Sequence, residues 1–462
     1  MIPITDKGYQ LLHDGCVALS QVEANGMKID TDYLNRAITH TNRKMDDLRY
    51  EMEQDKIFKR WRREYGLKTN MGSREQLGKI LFSIMDYPCP AYTKTGRPKA
   101  DAATLNTVDI DFVKKFLKLE KLKKAKSTYL QGILRETTDG YLHPFFNLHI
   151  PRTYRGSSDH PNFQNMPIRD PEIAKLVRRA FIPRTKNHQI VETDYSGAEI
   201  CCAACYHKDP RMVSYIKDEK KDLHRDMAGE CFMLPKKEIS KDIRYCGKNM
   251  FVFPQFYGDY YIHCAKSLWK AIGEMKLKGE DGKSLRKHLK TKGISKLGRC
   301  NPEDSPVKGT FEKHLQEVEY DFWNRRFKVY GQWKKDWYHK YLKKGYFDTL
   351  TGFRIEGIYG RNEVINYPVQ GSAFHWLLWS LIRIQKLLKK YKIRGYIIGQ
   401  IHDSIVSDVH ERDINNYMEI VRQVMTVDIC KHWHHIIVPL KVEIEVAPVG
   451  KSWFLKEEVK YE

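Results

Sequence analysis

The sequence predicts an α+β protein of several domains, in which a composite sheet is flanked by mostly helical regions. At 462 residues the chain is too long for one ordinary core. Helical periodicity dominates its first third and its middle, whereas runs with strand character are confined to the centre and the C-terminal part. Hydrophobic residues make up 41% of the chain, which suffices for packed cores and excludes a disordered or collagen-like protein.

Apolar periodicity predicts the elements in order. Phe112, Phe116, Leu119 and Leu122 recur at helical spacing among lysines, which predicts an amphipathic helix within 111–130. The run QIVETDY predicts a strand, and GYIIGQIHDSIVSDVH predicts two strands around a tight His-Asp turn. The predicted regions are a mostly helical 1–135, a turn-rich and then β-rich 139–215, a helical 216–388, and in 395–447 two strands, a helix and a last strand.

Charge narrows the class of partner. Lys and Arg number 80 and Asp and Glu 58, so the formal net charge is +22, which favours a polyanion such as nucleic acid. The stretch 265–300 is especially basic. It is either an added element that contacts template or single strand, or a solvated helical hairpin.

Cysteine content and hydropathy bear on the compartment. Ten cysteines are too sparse for a disulfide scaffold, and no apolar run is long enough to span a membrane. We therefore expect a soluble protein that is cytoplasmic, in the host cytoplasm if the source is viral. Cys201, Cys202 and Cys205 with His207 lack a second ligand pair at zinc-finger spacing, so we expect packed thiols.

Two aspartates are placed where strands end. Asp194 ends the apolar strand, and Asp403 lies in the turn between the two later strands. Carboxylates on adjacent strand ends can hold a pair of divalent ions for phosphoryl transfer. A strand-end Asp is also a common turn former, so either residue alone is weak evidence.

The segment RYCGKNMFVFPQFYG, at 244–258, adds a second pattern. Arg244 and Lys248 are four residues apart, as are Phe253 and Tyr257, so each pair predicts one helix face. Two cations followed by two aromatic rings suit a nucleoside triphosphate. An amphipathic helix with an aromatic core pair is the alternative.

Together these motifs resemble a known family. DYSGAEI, the R-x3-K…F-x3-YG pattern and QIHDSIV resemble motifs A, B and C of the family A DNA polymerases, the DNA polymerase I family. TYRGSSDHPNFQNMPIR, GYFDTLTGFR and NYPVQGSA, and nearer the N-terminus VEANGMKID, SREQLGKILF, TKTGRP and KSTYLQGIL, resemble further segments of that family. The resemblance spans nearly the whole chain and indicates a phage-like polymerase module.

The resemblance implies a right-hand architecture, with an antiparallel palm sheet and helical thumb and fingers. The thumb and its N-terminal approach would be 1–138, the palm 139–215 and 389–462, and the fingers 216–388 with the basic insertion at about 265–300. The implied activity is template-directed addition of deoxynucleotides to a primer 3′-OH, in replication or repair. Since no exonuclease pattern precedes residue 135, we expect no intrinsic 3′→5′ proofreading. A separate exonuclease or processivity factor is left open.

The resemblance also assigns metal and nucleotide sites. Asp194 and Asp403 would bind two Mg²⁺ ions, which Mn²⁺ could replace, with the Tyr195 backbone carbonyl as a further ligand. Lys248 would protonate the leaving pyrophosphate. The triphosphate would be held by His224, Arg244 and Lys248.

The sugar and the DNA would have their own contacts. Glu199, held by Tyr257, would exclude a ribose 2′-hydroxyl, and Tyr257 would stack near the templating position. The primer–template minor groove and primer end would be contacted by Arg155, Gln164, Asn165, Asn366, Gln370 and His402.

Three departures from the family pattern change individual expectations. Gly197 and Cys201 replace a Gln and an Arg in motif A. Tyr257 lies nine residues after Lys248 rather than eight, which predicts one inserted residue and places Phe253 at the sugar-facing position. A Phe there predicts discrimination against dideoxynucleotides. Ser404 replaces a Glu, so the metal site would depend on Asp194 and Asp403.

Two alternative functions remain to be separated. His-Asp-Ser also occurs in the phage-type single-subunit RNA polymerases, although Glu199 argues against an enzyme that must accept ribose. The other alternative is a catalytically silent, DNA-binding polymerase-like subunit of a replisome, against which the two aspartates and the Arg244 and Lys248 pair argue.

Overall fold

The fold is built around a five-stranded antiparallel sheet whose strands come from the middle and the end of the chain. The structure, a computed structural model, describes residues 1–93, 95–168, 170–279, 282–299 and 305–460. Parts of three segments quoted above, at Lys94, at Arg169 and at 280–281 with 300, lie outside the described residues. Within the described ranges, no helix is long and apolar enough to cross a membrane.

The N-terminal region is mostly helical, as predicted. The predicted helix within 111–130 is present, and Phe112, Phe116, Leu119 and Leu122 are all buried in it, which confirms the amphipathic pattern. The elements are β1 (Ile2–Pro3), α1 (Asp6–Asn25), β2 (Met27–Lys28), α2 (Thr31–Gln54), α3 (Lys56–Tyr65), α4 (Arg74–Lys79), α5 (Ala102–Leu105), α6 (Asp111–Lys124), α7 (Gln131–Glu136), β3 (Thr137–Thr138) and β4 (Tyr141–Leu142).

The next region introduces the sheet. Its buried strand leads into a helix through Gly197, whose φ of 69° is left-handed and therefore favours glycine at this strand-to-helix turn. The elements are β5 (Phe145–Asn147), β6 (Ser157–Asp159), α8 (Pro171–Arg178), β7 (His188–Tyr195), α9 (Ala198–His207) and α10 (Pro210–Lys217).

The middle region is helical but also contains a hairpin, which the prediction of helix throughout 216–388 missed. The turn between its strands contains Gly352 at a φ of 87°, and the strand before it is only three residues long. The elements are α11 (Leu223–Phe232), α12 (Lys241–Gly247), α13 (Phe253–Tyr257), α14 (Tyr261–Glu274), α15 (Leu285–Thr291), α16 (Phe311–Asp321), α17 (Lys328–Lys344), β8 (Tyr346–Asp348), β9 (Phe353–Glu356) and α18 (Arg361–Lys390).

The last region completes the sheet and confirms the predicted hairpin and last strand. Its elements are β10 (Gly395–Ile401), β11 (Ser404–His410), α19 (Ile414–Arg422), α20 (Ile429–His432), β12 (Val442–Val446) and β13 (Glu457–Glu458). The strand order is β10-β11-β7-β12-β13, so β7 lies at the centre, between the hairpin and β12.

Helix α18 is the longest helix of the described residues and runs through the core. At 30 residues it is about 45 Å long, and most of its surface is buried. A Cβ on Gly371 would lie 2.6 Å from the carbonyl oxygen of Thr153, so the absence of a side chain lets the two backbones approach. This contact brings the first half of α18 beside the segment that leads to β6.

Candidate active site

The two predicted aspartates meet at one end of the sheet. Asp194, near the end of β7, is in register with Ser404, the first residue of β11. Asp403 lies in the hairpin turn directly before it, and its backbone carbonyl accepts a hydrogen bond from Tyr195 N at 3.3 Å. His402, the other turn residue, has a φ of 51°, which makes the turn tight. The strand register therefore brings two carboxylates together that are more than 200 residues apart in sequence.

Burial disfavours the ionised forms of both carboxyl groups, and nearby carboxylates add to this at Asp194. Burial, and then the charges of Asp403, Glu192 and Glu443, raise the pKa of Asp194 to about 8. The pKa of Asp403 is also raised by burial, although the nearby His402 and Arg155 oppose this. Two like charges in one partly buried site are costly unless a cation neutralises them.

The donor set fits hard divalent cations. Both side chains offer carboxylate oxygens, which Mg²⁺ and Mn²⁺ prefer, and Asp194 Oδ1 is buried without a hydrogen-bond partner. Tyr195 turns its ring into the core, where its hydroxyl lies 2.9 Å from Ser380 Oγ, so only its backbone could serve the site. In the described residues, no group of three or more His, Cys, Asp or Glu side chains converges, so the candidate site has two carboxylates.

Removal of one of these charges should stabilise the metal-free protein. We expect Asp194→Asn to raise the free energy of unfolding by about 1 to 3 kcal/mol at pH 7.5 in a chelator, because a buried carboxyl group that must take up a proton on folding is replaced by a neutral isostere. The pKa of Asp194 is higher in the folded protein than in the unfolded chain. The free energy of unfolding of the wild type therefore falls as pH rises from about 4 to 8.

Urea unfolding at several pH values measures the effect. The difference between variant and wild type should shrink towards pH 4 and grow towards pH 8. Asp47→Asn, at an exposed position on α2, is the matched control and should change little. A less stable Asp194→Asn protein at pH 7.5 would contradict the electrostatic description of the site.

The helical segment 241–257 carries the predicted cations and aromatic rings. Between α12 and α13 the chain forms a π-helical turn, Lys248–Val252. Such a turn is the usual form that one extra residue takes within an α-helix, and it is often found at functional sites. It lies where the sequence predicted an inserted residue, and it brings Lys248 Nζ to 5.3 Å from the centre of the Phe253 ring.

Two of the three predicted phosphate-binding side chains line a cavity of about 340 Å³ beside α9, whereas Lys248 is not in its wall. Arg244 and His224 are both in its wall. Asp222 accepts a 2.6 Å hydrogen bond from Arg244 Nε, which fixes the guanidinium. Burial, and then the charges of Lys248 and Arg244, lower the pKa of His224 to about 4, so it is neutral at pH 7. Its Nδ1 is buried without a partner.

A larger cavity of about 470 Å³ lies next to this one, and Gly197, Ile200 and Met212 are in the walls of both. Tyr257 Oη donates a 2.5 Å hydrogen bond to Glu199 Oε2, and Arg155 forms an ion pair with the other carboxylate oxygen. The predicted site residues in its wall are Arg155, Glu199, Phe253, Tyr257, Asn366, Gln370, His402 and Asp403.

The remaining predicted DNA contacts lie near the hairpin. Gln164 donates a 2.7 Å hydrogen bond to the buried Gln400, which in turn donates to the carbonyl of His402 at 2.6 Å. Asn366 Nδ2 donates to the Tyr257 carbonyl at 3.0 Å, which joins α18 to the end of α13. Asn165 is exposed in the short turn after β6. Gln164 and Asn165 therefore lie outside the two cavities, beside the hairpin.

Sequence reasoning missed a buried polar network behind the aromatic helix. The side-chain oxygen of Gln255, on α13, accepts a 2.7 Å hydrogen bond from the Trp323 indole. The backbone carbonyl of Gln255 accepts one of 3.1 Å from Lys334 Nζ. Burial lowers the pKa of Lys334 to about 7, and its ammonium lies 3.6 Å from the Trp323 ring centre. A lysine among polar neighbours on α17 gave no signal that it is buried.

Sequence reasoning also missed residues that contribute to the site itself. Glu443, on β12, is directly in register with Asp194 and accepts a 2.9 Å hydrogen bond from Ser196 Oγ. Tyr330 and Phe374 complete the wall of the larger cavity. The alternation in VEIEV could have placed Glu443 on the side of Asp194 once the strand order was known. The three cysteines of α9 are buried, as expected, and burial raises the pKa of each thiol.

The fold and this site define the class of the protein. An antiparallel sheet with paired carboxylates at its hairpin, facing a helix with cations and aromatic rings, is the right-hand architecture of nucleic-acid polymerases. The family model for DNA polymerase family A matches residues 39–276 and 317–454. The chain therefore belongs to the family A DNA polymerases.

Individual relatives agree with this assignment. The chain is 28% identical over 450 residues to DNA polymerase I of Bacillus subtilis (strain 168), covering 94% of this chain and 44% of that protein. It is 26% identical over 456 residues to the thermostable DNA polymerase I of Thermus aquaticus, covering 95% and 47%. With the DNA polymerase of Bacillus phage SP01 it shares 26% over 397 residues, covering 81% and 39%. The chain thus spans less than half the length of these relatives.

A solved structure has the same fold. The POL domain of Pol1 from M. smegmatis, in a complex with DNA primer-template and dNTP, matches with a TM-score of 0.73. The match covers 96% of this chain and 70% of that chain, at 23% sequence identity. This likeness confirms the predicted fold class.

Proposed function

We propose that this chain is a template-directed DNA polymerase that adds deoxynucleotides to a primer 3′-OH by nucleotidyl transfer. The observation that carries the proposal is the register of β7 with the β10–β11 hairpin, which brings Asp194 and Asp403 together opposite the helical segment 241–257. Within this proposal 1–138 is the thumb with its N-terminal approach, 139–215 and 389–462 are the palm, and 216–388 are the fingers.

Asp194 and Asp403 would hold two Mg²⁺ ions, with the Tyr195 carbonyl as a further ligand, and Mn²⁺ could replace them. The ions would lower the pKa of the attacking hydroxyl and stabilise negative charge on the phosphorus. The unpartnered Asp194 Oδ1 and the raised pKa of both carboxyl groups support this assignment, because a cation relieves both costs.

The phosphates would be bound from the other side. Arg244, held by Asp222, presents a fixed guanidinium to the phosphates. His224 is neutral at pH 7, and its buried, unpartnered Nδ1 is free to form a hydrogen bond with the nucleotide. Lys248 makes no ion pair with a described residue and can both bind phosphate and donate a proton to the leaving pyrophosphate. Together these residues orient the triphosphate towards the carboxylates.

The sugar and the template would occupy the larger cavity. Tyr257 and Arg155 hold Glu199 from two sides, so its carboxylate is fixed where a ribose 2′-hydroxyl would be excluded. Phe253 faces the same cavity without a hydroxyl, which supports discrimination against dideoxynucleotides. Asn366 and Gln370 on α18, with His402, Gln164 and Asn165 at the hairpin, would contact the primer end and the minor groove.

Sugar selection can be tested through Glu199. We expect Glu199→Ala to reduce the preference for deoxynucleotides over ribonucleotides at least tenfold, about 1.4 kcal/mol, because the obstructing carboxylate is removed. Single-nucleotide incorporation kinetics with dATP and ATP opposite template thymine measure the ratio of kcat/KM values.

Tyr257→Phe is the matched control for this test. It removes the 2.5 Å hydrogen bond but leaves the carboxylate in the cavity, so a smaller loss of selectivity is expected. An unchanged ratio in Glu199→Ala would remove Glu199 from its proposed role.

The proposal is tested against its alternatives by primer extension. Purified protein, primer–template and Mg²⁺ are incubated with four dNTPs or with four rNTPs, and a promoter-containing duplex is tried without primer. Extension with dNTPs supports the proposal. Primer-independent synthesis from rNTPs would favour the phage-type RNA polymerase, and DNA binding without synthesis would favour the silent subunit.

A further inference from the structure

One part of the helical region lies outside the pattern of the family. The family model leaves 277–316 unmatched between its two segments, although it matches α14 before the gap and α17 after it. Within this gap, residues 282–299 contain seven Lys and Arg and no Asp or Glu. We call residues 282–299 the basic element.

The basic element is folded onto the fingers. Its apolar residues Leu285, Leu289 and Ile294 are buried. Backbone hydrogen bonds of 2.9 Å from Phe311 to Lys296 and from Glu312 to Leu297 join it to the start of α16. These contacts hold the backbone of the basic element in place, so its lysines extend from defined positions on the fingers.

The cations of the basic element point to solvent. Lys287, Lys290 and Lys292 are exposed, and none of them makes an ion pair with a described residue. Arg286 lies 5.2 Å from the centre of the Trp269 ring, which joins α15 to α14. Because Lys287, Lys290 and Lys292 repel one another and have no ion pair within the described residues, this arrangement disfavours the free protein and favours a bound polyanion.

A second row of exposed residues leads from the candidate site to the basic element. His263, Lys266 and Lys270 recur at helical spacing on the exposed face of α14. This helix begins four residues after Tyr257, which is in the wall of the larger cavity, and its 14 residues span about 20 Å. Lys266 and Lys270 on α14 and the exposed lysines of the basic element thus lead away from the site, while His263 pairs with Asp259 and Lys270 pairs with Glu274.

We infer that the basic element and the exposed face of α14 bind the phosphates of the single-stranded template ahead of the polymerase site. The inference rests on the proposed function, since a template strand must enter the cavity beside Tyr257 unpaired. Lysines that follow one another from α14 into the basic element can contact the phosphates of one strand, as the positively charged surfaces that bind single strands do.

The test compares two DNA substrates that differ only in the template overhang. Primer–templates with a 5′ template overhang of about two or about twelve nucleotides are titrated with protein, without dNTPs, at several salt concentrations. The variant is Lys287→Gln with Lys290→Gln and Lys292→Gln. Its matched control replaces Lys186, Lys389 and Lys451 by Gln; these are exposed and likewise lack an ion pair with any described residue.

The basic-element variant should bind the long overhang about tenfold more weakly than wild type near 0.15 M salt. The slope of log K against log salt should fall by about 2, because each lost single-strand phosphate contact contributes about 0.7. Affinity for the short overhang should stay within about twofold, as it should for the control variant on both substrates. Melting temperatures of all three proteins show whether they are folded.

Equal losses on both substrates, or an effect no larger than that of the control, would overturn the inference. The binding measurement does not depend on catalysis, because no synthesis is measured. A chain that extends primers but shows no overhang effect refutes only this inference, and one that shows the effect but never extends refutes only the polymerase proposal.

Discussion

The variant Asp403→Asn should lose primer extension by about a thousandfold or more while it still binds primer–template DNA. Asn keeps the size of the side chain and the backbone carbonyl that accepts from Tyr195 N, so the hairpin should be retained. The substitution removes one of the two carboxylates that would hold the ions, and with it charge that attracts divalent cations. Loss of that electrostatic stabilisation is worth several kcal/mol in the transition state.

Single-turnover incorporation and DNA titration separate the two effects. Affinity for primer–template should stay within about threefold of wild type, since the cations that contact DNA phosphates are unchanged. Asp47→Asn on α2 is the matched control and should extend normally. Extension by Asp403→Asn at a rate near that of wild type would exclude Asp403 from the reaction.

The variant Lys248→Gln should reduce the rate of incorporation by about 10² to 10⁴. Lys248 lies in the π-helical turn, partly buried and without an ion pair in the described chain, so its ammonium is available to the triphosphate. General-acid catalysis contributes about 10² to 10⁴ in rate, and Gln cannot supply the proton. Lys241→Gln, at an exposed position at the start of α12, is the control.

A second substitution of Lys248 separates phosphate binding from proton donation. Lys248→Arg keeps a cation for phosphate, but a guanidinium does not release its proton near neutral pH. We therefore expect Lys248→Arg to restore much of the nucleotide KM while kcat remains low. If Lys248→Arg restored kcat as well, Lys248 would act as a phosphate ligand only.

The part of the site that follows from local pattern could be predicted from the sequence. Strand β7 and the β10–β11 hairpin have strong strand patterns and a recognisable turn, and their motifs identified Asp194 and Asp403. The spacing from Lys248 to Tyr257 indicated an extra residue, and the helix accommodates a π-helical turn there. These features depend on residues close together in sequence.

Other features depend on contacts between distant elements and left no local signal. β1 is two residues long and pairs with β9, too short for any period to show. The ion pair of Arg244 with Asp222 and the burial of Lys334 beneath Gln255 arise only when separate helices pack. Glu443 reaches Asp194 through strand order, which hydrophobic patterns do not specify.

The positive charge of the chain can now be divided by location. Arg244 is in the wall of the smaller cavity of the candidate active site, and Lys248 lies in the π-helical turn that follows α12. The basic element lies outside that site, with no acidic residue in its own sequence. In the two proposals, one set of cations would bind the incoming nucleotide and the other would bind the template, so substitutions in the two sets should have separable effects.

Single-nucleotide incorporation directed by a template tests the central claim most directly. Four primer–templates that differ only in the templating base are each offered one dNTP at a time with Mg²⁺. The account predicts that each template accepts its complementary deoxynucleotide, and that Asp403→Asn abolishes all four reactions. Incorporation that ignored the templating base, or that survived in Asp403→Asn, would contradict a template-directed polymerase with its site at Asp194 and Asp403.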